Sequence, residues 1–482
     1  MIPNSIQNRG TPKTRAVDFT SGDPASARSV FVTAAFASAL YLMLPGCEGV
    51  PTEGERRAQQ NLQTIAAVYR PQHQRPPLPQ LQSSDSLSTF LQFAILNQPR
   101  VEAAYYDWAA TVRRITVARS LPDPEFRFEM DISGIVSSVM PGAMAEFPGF
   151  GKLEAAANVV TAESQAKYFV FESSVLQAAF AVKKAYYQQH FLDARIAINQ
   201  QTLRLLANLE KVARAQHEAG KATLQDVLRV QIEHDRIVTT ISNLKDSRNV
   251  LLAQFKAALG LKEADPTPPV PAKFESTPLD VTSDRLMAFA LARNPRLKSM
   301  EAEVHRADAE IRVAQKAQVP DISAGIKADA ITWPFIFRPE LRVTLPVWRD
   351  KIKAQIEGAE AGKRAAAARL SAEEIALVVE FVEKLYLVRE ADRNLELFSQ
   401  RLLPKSRQSL EVAQSAYVGG QLEFVNVIDA QRSLLDFSLS VVEARVQREL
   451  ALAELALLIL GTPPAGAPVL PSDAADRPRG NP

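Results

Sequence analysis

Side chains that could do chemistry are few in this chain of 482 residues, and they lie far apart in the sequence. No two histidines have the spacing of zinc ligands, and a single cysteine excludes an internal disulfide framework. Walker loops, Gly-rich dinucleotide turns and GxSxG elbows do not occur. We therefore expect no enzyme, no catalytic residue, no metal and no cofactor. The five histidines are His73, His190, His217, His234 and His305.

Two polar residues just after Gly419 and Gly420 share one face of a predicted helix. Asn426 and Asp429 are three residues apart, the spacing of neighbours on a helix surface. By residue type alone, such a pair fits a solvated helix face or a helix cap. What else it could do depends on the elements that position it.

Those elements occur twice, because the sequence contains two similar halves whose matching residues lie about 200 positions apart. Such a repeat determines the architecture. Each copy contains a long run without proline, interrupted mainly by glycine near its middle. The period is too long for a solenoid and indicates one duplicated unit. The paired segments are Asn97-Gln98-Pro99-Arg100 with Arg293-Asn294-Pro295-Arg296, Pro122-Asp123 with Pro320-Asp321, Pro148 with Pro346, Gly220…Asp226-Val227-Leu228…Gln231 with Gly420…Asn426-Val427-Ile428…Gln431, and Leu259-Gly260 with Leu460-Gly461.

Helical patterns dominate both copies. A helix is predicted over 86–119, with a break near Pro99, and a second over 152–217, which would be about 100 Å long. Gly220 ends this helix, and a partner helix over 223–259 has apolar residues at coiled-coil spacing. The second copy repeats this hairpin, with Pro404 predicted to break its long helix.

A β-hairpin is predicted in each half, four strands in all. The clearest strand, 125–132, alternates strictly between apolar and charged residues. Such a strand fits a soluble sandwich, with its apolar face inside, or a membrane barrel, with its apolar face in lipid. Four strands cannot close a barrel, so a barrel would need several chains. The apolar residues are Phe126, Phe128, Met130 and Ile132, and the charged ones are Glu125, Arg127, Glu129 and Asp131.

The N-terminus has the composition of an export signal. Lys13, Arg15 and Arg28 precede an apolar run over 30–44, too short to span a bilayer as a helix. The following Leu-Pro-Gly-Cys ends at Cys47 and resembles the lipobox of bacterial lipoproteins, in which this cysteine is lipidated. An ordinary cleaved signal with an incidental cysteine is the alternative. The balance of 56 basic and 54 acidic residues gives no reason to expect nucleic-acid binding.

These patterns divide the chain into six segments. Prolines and glutamines make an extended arm after the signal, a Pro-rich run joins the copies, and the end is Pro-, Gly- and Ala-rich. The predicted segments are signal peptide 1–46, extended arm 47–85, first repeat 86–261, linker 262–283, second repeat 284–461 and disordered tail 462–482.

The duplicated order of helix, β-hairpin and long helical hairpin resembles the TolC family of outer-membrane efflux channels over about residues 85–461. The resemblance implies a mainly α fold with small β content: an α-barrel of coiled-coil hairpins and a twelve-stranded membrane β-barrel built by a homotrimer. It also implies a lipid-anchored outer-membrane location, a periplasmic tube, and partnership with a periplasmic adaptor and an inner-membrane pump.

The same resemblance implies roles for named residues. Asn426 and Asp429 would ring the pore constriction, where converging charges set ion selectivity. Asp226 and Tyr417 would clasp the closed gate through a hydrogen bond, while Leu422 replaces the usual arginine of a charged clasp. The adaptor would contact the hairpin tips, which are Ala219, Gly220, Lys221, Gly419, Gly420 and Gln421.

Two other classes of protein remain open at this point. A periplasmic coiled-coil scaffold or adaptor lipoprotein would share the long helical hairpins but would not need two β-hairpins with charged faces. A lipoprotein enzyme would need a catalytic constellation, which we do not find in the sequence.

Overall fold

The computed structural model describes residues 50–132, 136–280, 285–329, 331, 334, 336–464 and 467. The predicted signal peptide, Cys47 and most of the predicted tail lie outside these residues. None of the described helices is both long enough and apolar enough to cross a membrane.

The described residues form long helices and one sheet, in the same order in both halves. The first half contains α1 Glu53–Tyr69, α2 Leu87–Asn97, α3 Pro99–Arg119, β1 Glu125–Ile132, β2 Val136–Phe147, α4 Lys152–Glu218 and α5 Leu224–Ala258. The second contains α6 Leu286–Arg293, α7 Pro295–Lys316, β3 Asp321–Asp329, β4 Ile336–Thr344, α8 Arg349–Glu396, α9 Leu403–Val418 and α10 Phe424–Glu454.

The predicted long helix is confirmed in the first half and differs in the second. Helix α4 runs unbroken for 67 residues, about 100 Å. Pro404 lacks the N–H of a regular helical turn, yet the chain does not break there. The preceding turn widens into a π-helical segment, Leu397–Leu402, and the chain continues into α9 with helical dihedrals. The regular α-helix is therefore interrupted just before Pro404, but by a π-helical turn that keeps the chain helical rather than by a full break.

The arm predicted as extended is helical over Glu53–Tyr69. Its last turn is anchored in the largest apolar cluster, where Tyr69 is fully buried. Arg70 is 1% exposed and donates hydrogen bonds to the carbonyls of Tyr69 (2.8 Å) and Leu96 (3.1 Å). The prolines of this arm all lie outside the helix, and the helix itself is rich in Ala, Arg, Gln and Glu, which favour helix formation.

The four strands form one antiparallel sheet in the order β1-β2-β3-β4, so the two hairpins pair with each other through β2 and β3. The register puts Phe128 opposite Pro141, Ala143 opposite Ile326 and Ala324 opposite Leu341. Since side chains alternate between faces, one face of the sheet is apolar across all four strands. Strands β1 and β4 are the two edges, and neither is paired on its outer side by a described residue.

The apolar face of the sheet is exposed, and the charged face is linked by ion pairs. Phe126 is 73% and Leu341 71% exposed. On the opposite face, Lys327 Nζ lies 2.7 Å from Glu129 and 3.2 Å from Glu340, joining β3 to charges of β1 and β4. The sheet therefore has one apolar and one charged face, as the alternation in the sequence predicted.

The long helices lie side by side. Helix α4 packs between α5 and α10, and α10 packs between α4 and the α8–α9 pair. Closer to the sheet, α3 packs on α4, and α7 packs between α4 and α8. In the part of the layer beyond the sheet, α5 and α8–α9 are thus the edge helices.

The repeated residues before proline tie the two ends of each repeat together. Asn294 is fully buried, and its Nδ2 donates to the carbonyls of Leu458 (3.0 Å) and Ile459 (2.9 Å). At the equivalent position, Gln98 Nε2 donates to the carbonyls of Ala257 (3.0 Å) and Ala258 (3.2 Å). These amides satisfy carbonyls that a helix C-terminus leaves without partners.

We expect Asn294→Ala to lower the free energy of unfolding by about 2–4 kcal/mol, because it removes two buried hydrogen bonds to carbonyls and one to the Arg296 N–H. Thermal unfolding followed by circular dichroism measures the loss. The matched control is Gln98→Ala, at a half-buried position where water can replace the side chain; a loss as large as that of Asn294→Ala would contradict this explanation.

The inter-repeat linker packs across α4 and α10. Phe274 packs on the ring of Tyr186, with centroids 6.4 Å apart. Thr277 Oγ1 accepts a hydrogen bond from Lys183 Nζ at 2.8 Å, and Ser276 Oγ donates to Glu449 at 2.7 Å. Burial lowers the pKa of Lys183 from its ordinary value of 10.5 to about 8.

The depressed pKa of Lys183 predicts that the protein becomes more stable as pH rises. Between pH 8 and 10 the unfolded chain keeps a proton that the folded chain has lost, so the free energy of unfolding increases, by about 2 kcal/mol from pH 7 to 10. Melting temperatures measured between pH 7 and 10 test the predicted increase in stability. The Lys183→Met variant should lose the increase, and an unchanged pH dependence in that variant would contradict the assignment to Lys183.

Candidate functional site at the helical tips

Both long hairpins turn with the same backbone geometry, set by one glycine each. Gly220 has φ +70° and Gly420 has φ +72°, a left-handed conformation that glycine adopts without strain. Lys221 N donates to the carbonyl of Gln216 (2.8 Å), and Gln421 N to that of Ala416 (2.9 Å), closing a Schellman motif in each tip. All six tip residues predicted to contact an adaptor are exposed.

A side chain just after the turn caps the returning helix in the first tip but not in the second. In the first tip, the Asp226 carboxylate accepts a hydrogen bond from the backbone N–H of Thr223 at 3.1 Å, half of a capping box. In the second tip, Asn426 Nδ2 donates to the carbonyl of Glu423 at 3.4 Å. Asp226 therefore has a local structural partner.

The predicted hydrogen bond between Tyr417 and Asp226 is not formed in this structure. Tyr417 is 9% exposed, and its hydroxyl has no hydrogen-bond partner among the described residues. Burial, and next the nearby charge of Asp226, raise the pKa of the Tyr417 hydroxyl. Asp226 instead makes the local capping contact, since Asp side chains commonly bond to backbone groups of neighbouring residues.

Tyr417 instead takes part in an apolar cluster that joins both hairpins. Its ring packs on Phe424 with centroids 4.9 Å apart. Leu422, at the position of the usual arginine, packs on the same cluster. The fully or largely buried members come from α4, α5, α9 and α10: Leu206, Leu209, Ala213, Val227, Val230, Ile237, Ile241, Leu410, Ala413, Tyr417, Phe424, Val427, Ile428 and Ala430.

Asn426 and Asp429 lie on one exposed face of α10, as their spacing predicted, and the face is longer than expected. Ser433 and Asp436 continue it at steps of four and three residues, and all four side chains are exposed, whereas Val427, Ile428 and Gln431 are buried. Sequence reasoning missed Asp436; its heptad spacing from Asp429 was the available signal.

An ion pair missed by sequence reasoning joins the two hairpins near this face. Glu233 of α5 is 5% exposed and accepts a hydrogen bond from the Arg432 guanidinium of α10. Arg432 Nη1 also lies 3.9 Å from the Asp429 carboxylate. Nothing in the local sequence signals this pair, because 199 residues separate its members.

The described residues contain no cluster of side chains suited to a metal ion. The distinctive features of this end of the described chain are the exposed tips, the polar face of α10 and the buried cross-hairpin ion pair.

Comparisons with known proteins agree with this geometry. Residues 286–461 match the family model described as outer membrane efflux protein. No curated protein sequence matches the chain.

Several solved structures have similar folds. The outer membrane protein VceC of Vibrio cholerae is 15% identical, with TM-score 0.65 over 78% of this chain and 96% of that chain. The CmeC outer membrane channel of Campylobacter jejuni is 12% identical, with TM-score 0.67 over 80% and 89%. The open MtrE outer membrane channel of Neisseria gonorrhoeae is 16% identical, with TM-score 0.66 over 80% and 97%.

At these identities the structural similarities establish the fold, which is that of α-barrel channels with a small β-barrel part. Together with the family match, they confirm the resemblance inferred from the sequence.

Proposed function

We propose that this chain, which carries an outer membrane efflux protein domain in its second half, is the outer-membrane channel of a tripartite efflux system. Three copies would form a duct that conducts substrate passively from the periplasmic side to the outside. An inner-membrane pump would supply the energy, and a periplasmic adaptor would connect pump and duct.

The observation that carries this proposal is that the described chain is open at both edges of both its layers. The sheet ends in β1 and β4, and the helix layer ends in α5 and in α8–α9. An unpaired sheet edge inside a bilayer leaves backbone groups unsatisfied, so the sheet must be closed by other chains. Three chains of four strands each would give a barrel of twelve, within the known size range.

The edge helices support closure by further copies, because both are apolar on two opposite faces. On α8, Leu377 and Phe381 are buried in the chain's own core, whereas Ile375, Val379 and Val382 form a stripe on the other side and are 66%, 61% and 56% exposed. A helix with two apolar faces packs on both sides.

Helix α5 shows the same division at the other edge of the layer. Val230 and Ile237 are buried in the core, and Leu228 and Ile232 are exposed on the opposite side, Ile232 at 65%. The apolar stripes on α5 and α8 differ in sequence and lie on different edges, so contacts between copies through these edges would be head to tail around a ring.

The uncovered apolar face of the sheet favours a membrane channel over a periplasmic scaffold or adaptor. In a water-soluble protein, side chains such as Phe126 and Leu341 would be packed under another layer. Among the described residues, no helix packs on this sheet face, and lipid is the environment that suits it.

The lipid anchor at Cys47 remains part of the proposal, and the geometry of α1 is compatible with it. Gly54 lies so close to Thr161 that an added Cβ would be 2.9 Å from the Thr161 Cγ2. Thr161 is about 14 Å along α4 from its start beside the sheet. The five residues from Cys47 to Thr52 can span about 17 Å, so acyl chains on Cys47 could reach the membrane.

Fractionation and conductance together test the proposed function. We expect the protein in the outer membrane as a trimer band that dissociates only on heating, and we expect ion conductance when the purified trimer is added to a planar bilayer. A monomer in the soluble periplasmic fraction would support the scaffold instead.

The proposed pore constriction at Asn426 and Asp429 predicts cation selectivity. Three copies of Asp429 near one axis would attract cations, so Asp429→Asn should reduce the ratio of cation to anion permeability several-fold, measured as a reversal potential in a salt gradient. The control is Glu411→Gln, an exposed carboxylate on α9 and outside the polar face of α10; an equal change in that variant would contradict the assignment.

A further inference from the structure

One cavity lies in the part of the helix layer near the sheet, far from the tips. It has a volume of about 440 Å³ and lies between α1, α4 and α7, with Trp108 of α3 in its lining. This volume falls within the range of about 300–1,000 Å³ that is usual for small-molecule sites. Its lining residues on α4 run from Thr161 to Phe169, about 14–26 Å along the helix from its start beside the sheet.

The aromatic wall of this cavity contains a hydrogen-bond donor that has no acceptor. Trp108 is 2% exposed, and its ring contacts Tyr168 with centroids 5.2 Å apart and stacks on Phe171 at 6.0 Å. Within the described part of the chain, no residue accepts a hydrogen bond from its indole N–H. Buried tryptophan N–H groups usually have a partner, because a buried donor without one is costly. A ligand in the cavity can supply the acceptor.

Small apolar side chains leave space beside the aromatic wall. Ala302 of α7 is 3% exposed, and Ala58 of α1 is half-buried. Both line the cavity together with the half-buried ring of Phe169. The inner part of the cavity therefore suits a small group that carries both an acceptor and a methyl.

The charged side chains at the rim of the cavity are paired with one another. Lys298 Nζ lies 2.8 Å from Glu301, which lies on the same helix. Arg57 is paired in the same way with Glu53 on α1. Because each of these cations already has a carboxylate partner, the rim favours a neutral polar ligand over an ion.

Three further polar residues, Asn61, Gln165 and His305, complete the rim, and all three are exposed. The two amides each donate and accept hydrogen bonds, and the imidazole ring has two nitrogens that can take part. Hydroxyl groups also donate and accept, so a ligand with several hydroxyls can use all of these groups. An aromatic wall with such a rim is suited to a sugar.

The cavity stays open when further copies close a ring. In the layer near the sheet the helices follow the order α3, α4, α7, α8, so α4 and α7 are inner helices. Helix α1 borders the cavity and begins a few residues after the proposed lipid anchor, which puts this side of the layer outside the duct. The cavity would therefore face the periplasm. This location rests on the proposed function, whereas the binding chemistry does not.

We propose that this cavity binds an N-acetylated sugar unit of a periplasmic glycan. The acetamido carbonyl accepts the hydrogen bond of the Trp108 N–H, and its methyl packs beside Ala58 and Ala302. The sugar hydroxyls exchange hydrogen bonds with Asn61 and Gln165 at the rim. A glycan bound there attaches the outer surface of the duct to the cell-wall polymer.

Fluorescence titration with triacetylchitotriose tests the site. The chain has three tryptophans, so the double variant Trp333→Phe, Trp348→Phe reports on Trp108 alone. We expect a saturable change in its emission. The deacetylated trisaccharide lacks the acetamido carbonyl and is cationic, and it should bind at least about fivefold more weakly, because it leaves the buried N–H without an acceptor. Equal affinities, or no saturable change, would overturn the site.

Calorimetry on single variants locates the binding. Trp108→Phe keeps an aromatic wall and removes the N–H, so the Kd for triacetylchitotriose should rise about three- to tenfold. Gln165→Ala changes an exposed residue outside the core and should raise the Kd by a similar factor. The matched control is Trp348→Phe, a 75% exposed tryptophan at the start of α8, which should not change the Kd. Unchanged affinity in the first two variants, or an equal rise in all three, would overturn the assignment.

Purified peptidoglycan sacculi distinguish a unit of a polymer from a free saccharide. We expect the protein to sediment with sacculi and to be released by excess triacetylchitotriose. Binding of the trisaccharide without co-sedimentation would overturn the glycan as the ligand. A protein that conducts in planar bilayers but binds no trisaccharide overturns this site alone, and one that binds the trisaccharide but does not conduct overturns the proposed function alone.

Discussion

Val379→Asp is expected to convert the assembled trimer into monomers. Val379 lies at the centre of the exposed stripe of α8, 61% exposed in the single chain. If a second copy covers this stripe, each interface would bury an uncompensated carboxylate, at a cost of several kcal/mol. Three such interfaces close the ring, so each trimer would bear this free-energy cost three times. Size-exclusion chromatography with light scattering in mild detergent measures the mass of the assembly.

Ala376→Asp is the matched control for the helix stripe. Ala376 is exposed on the same helix about a quarter turn from the stripe, so a carboxylate there stays in water. We expect this variant to remain trimeric. A Val379→Asp trimer as stable as the unmodified protein would show that the stripe is not a subunit interface, and the head-to-tail closure would have to be abandoned.

Phe128→Arg is expected to prevent stable insertion into the outer membrane. Phe128 is 58% exposed on the apolar face, opposite Pro141 in the register of β1 and β2. A basic side chain facing lipid costs about 2–4 kcal/mol at mid-membrane depth, and a trimer would carry three of them. The amount of heat-dissociated trimer in the outer-membrane fraction reports the effect.

The same substitution on the other face of the sheet separates a lipid contact from a general defect. Ser323 lies on the charged face, between Glu146 of β2 and Arg342 of β4. Ser323→Arg should insert normally, since its guanidinium would face the aqueous side. Equal loss of trimer in both variants would mean that neither face contacts lipid, and the soluble scaffold would regain support.

Local patterns predicted the elements that have local causes. Strand β1 was predicted because strict alternation is a property of eight consecutive residues. The C-terminal end of α4 was predicted because the run without Pro or Gly stops at Gly220, whose left-handed conformation ends a helix. The polar face of α10 was predicted from the spacing of Asn426 and Asp429.

Contacts between the two halves were not predicted correctly. The resemblance led us to expect Tyr417 to bond with Asp226, yet Asp226 caps its own helix and Tyr417 packs on Phe424. The link that joins the hairpins is Arg432 with Glu233, which no local pattern marks. The helix at Glu53–Tyr69 was missed although a local signal was present, since Thr52 caps its first turn and no proline lies within it.

The amino-acid sequence by itself determined the duplication, the lengths of the helices and the two-faced strands, because these follow from residue order and from periods of two and about three and a half residues. Only the tertiary structure decided that β2 pairs with β3, that the apolar faces of the two hairpins are continuous, and that Arg432 meets Glu233. Such choices depend on which distant surfaces pack together, and the free energy of that packing is a property of the folded chain as a whole.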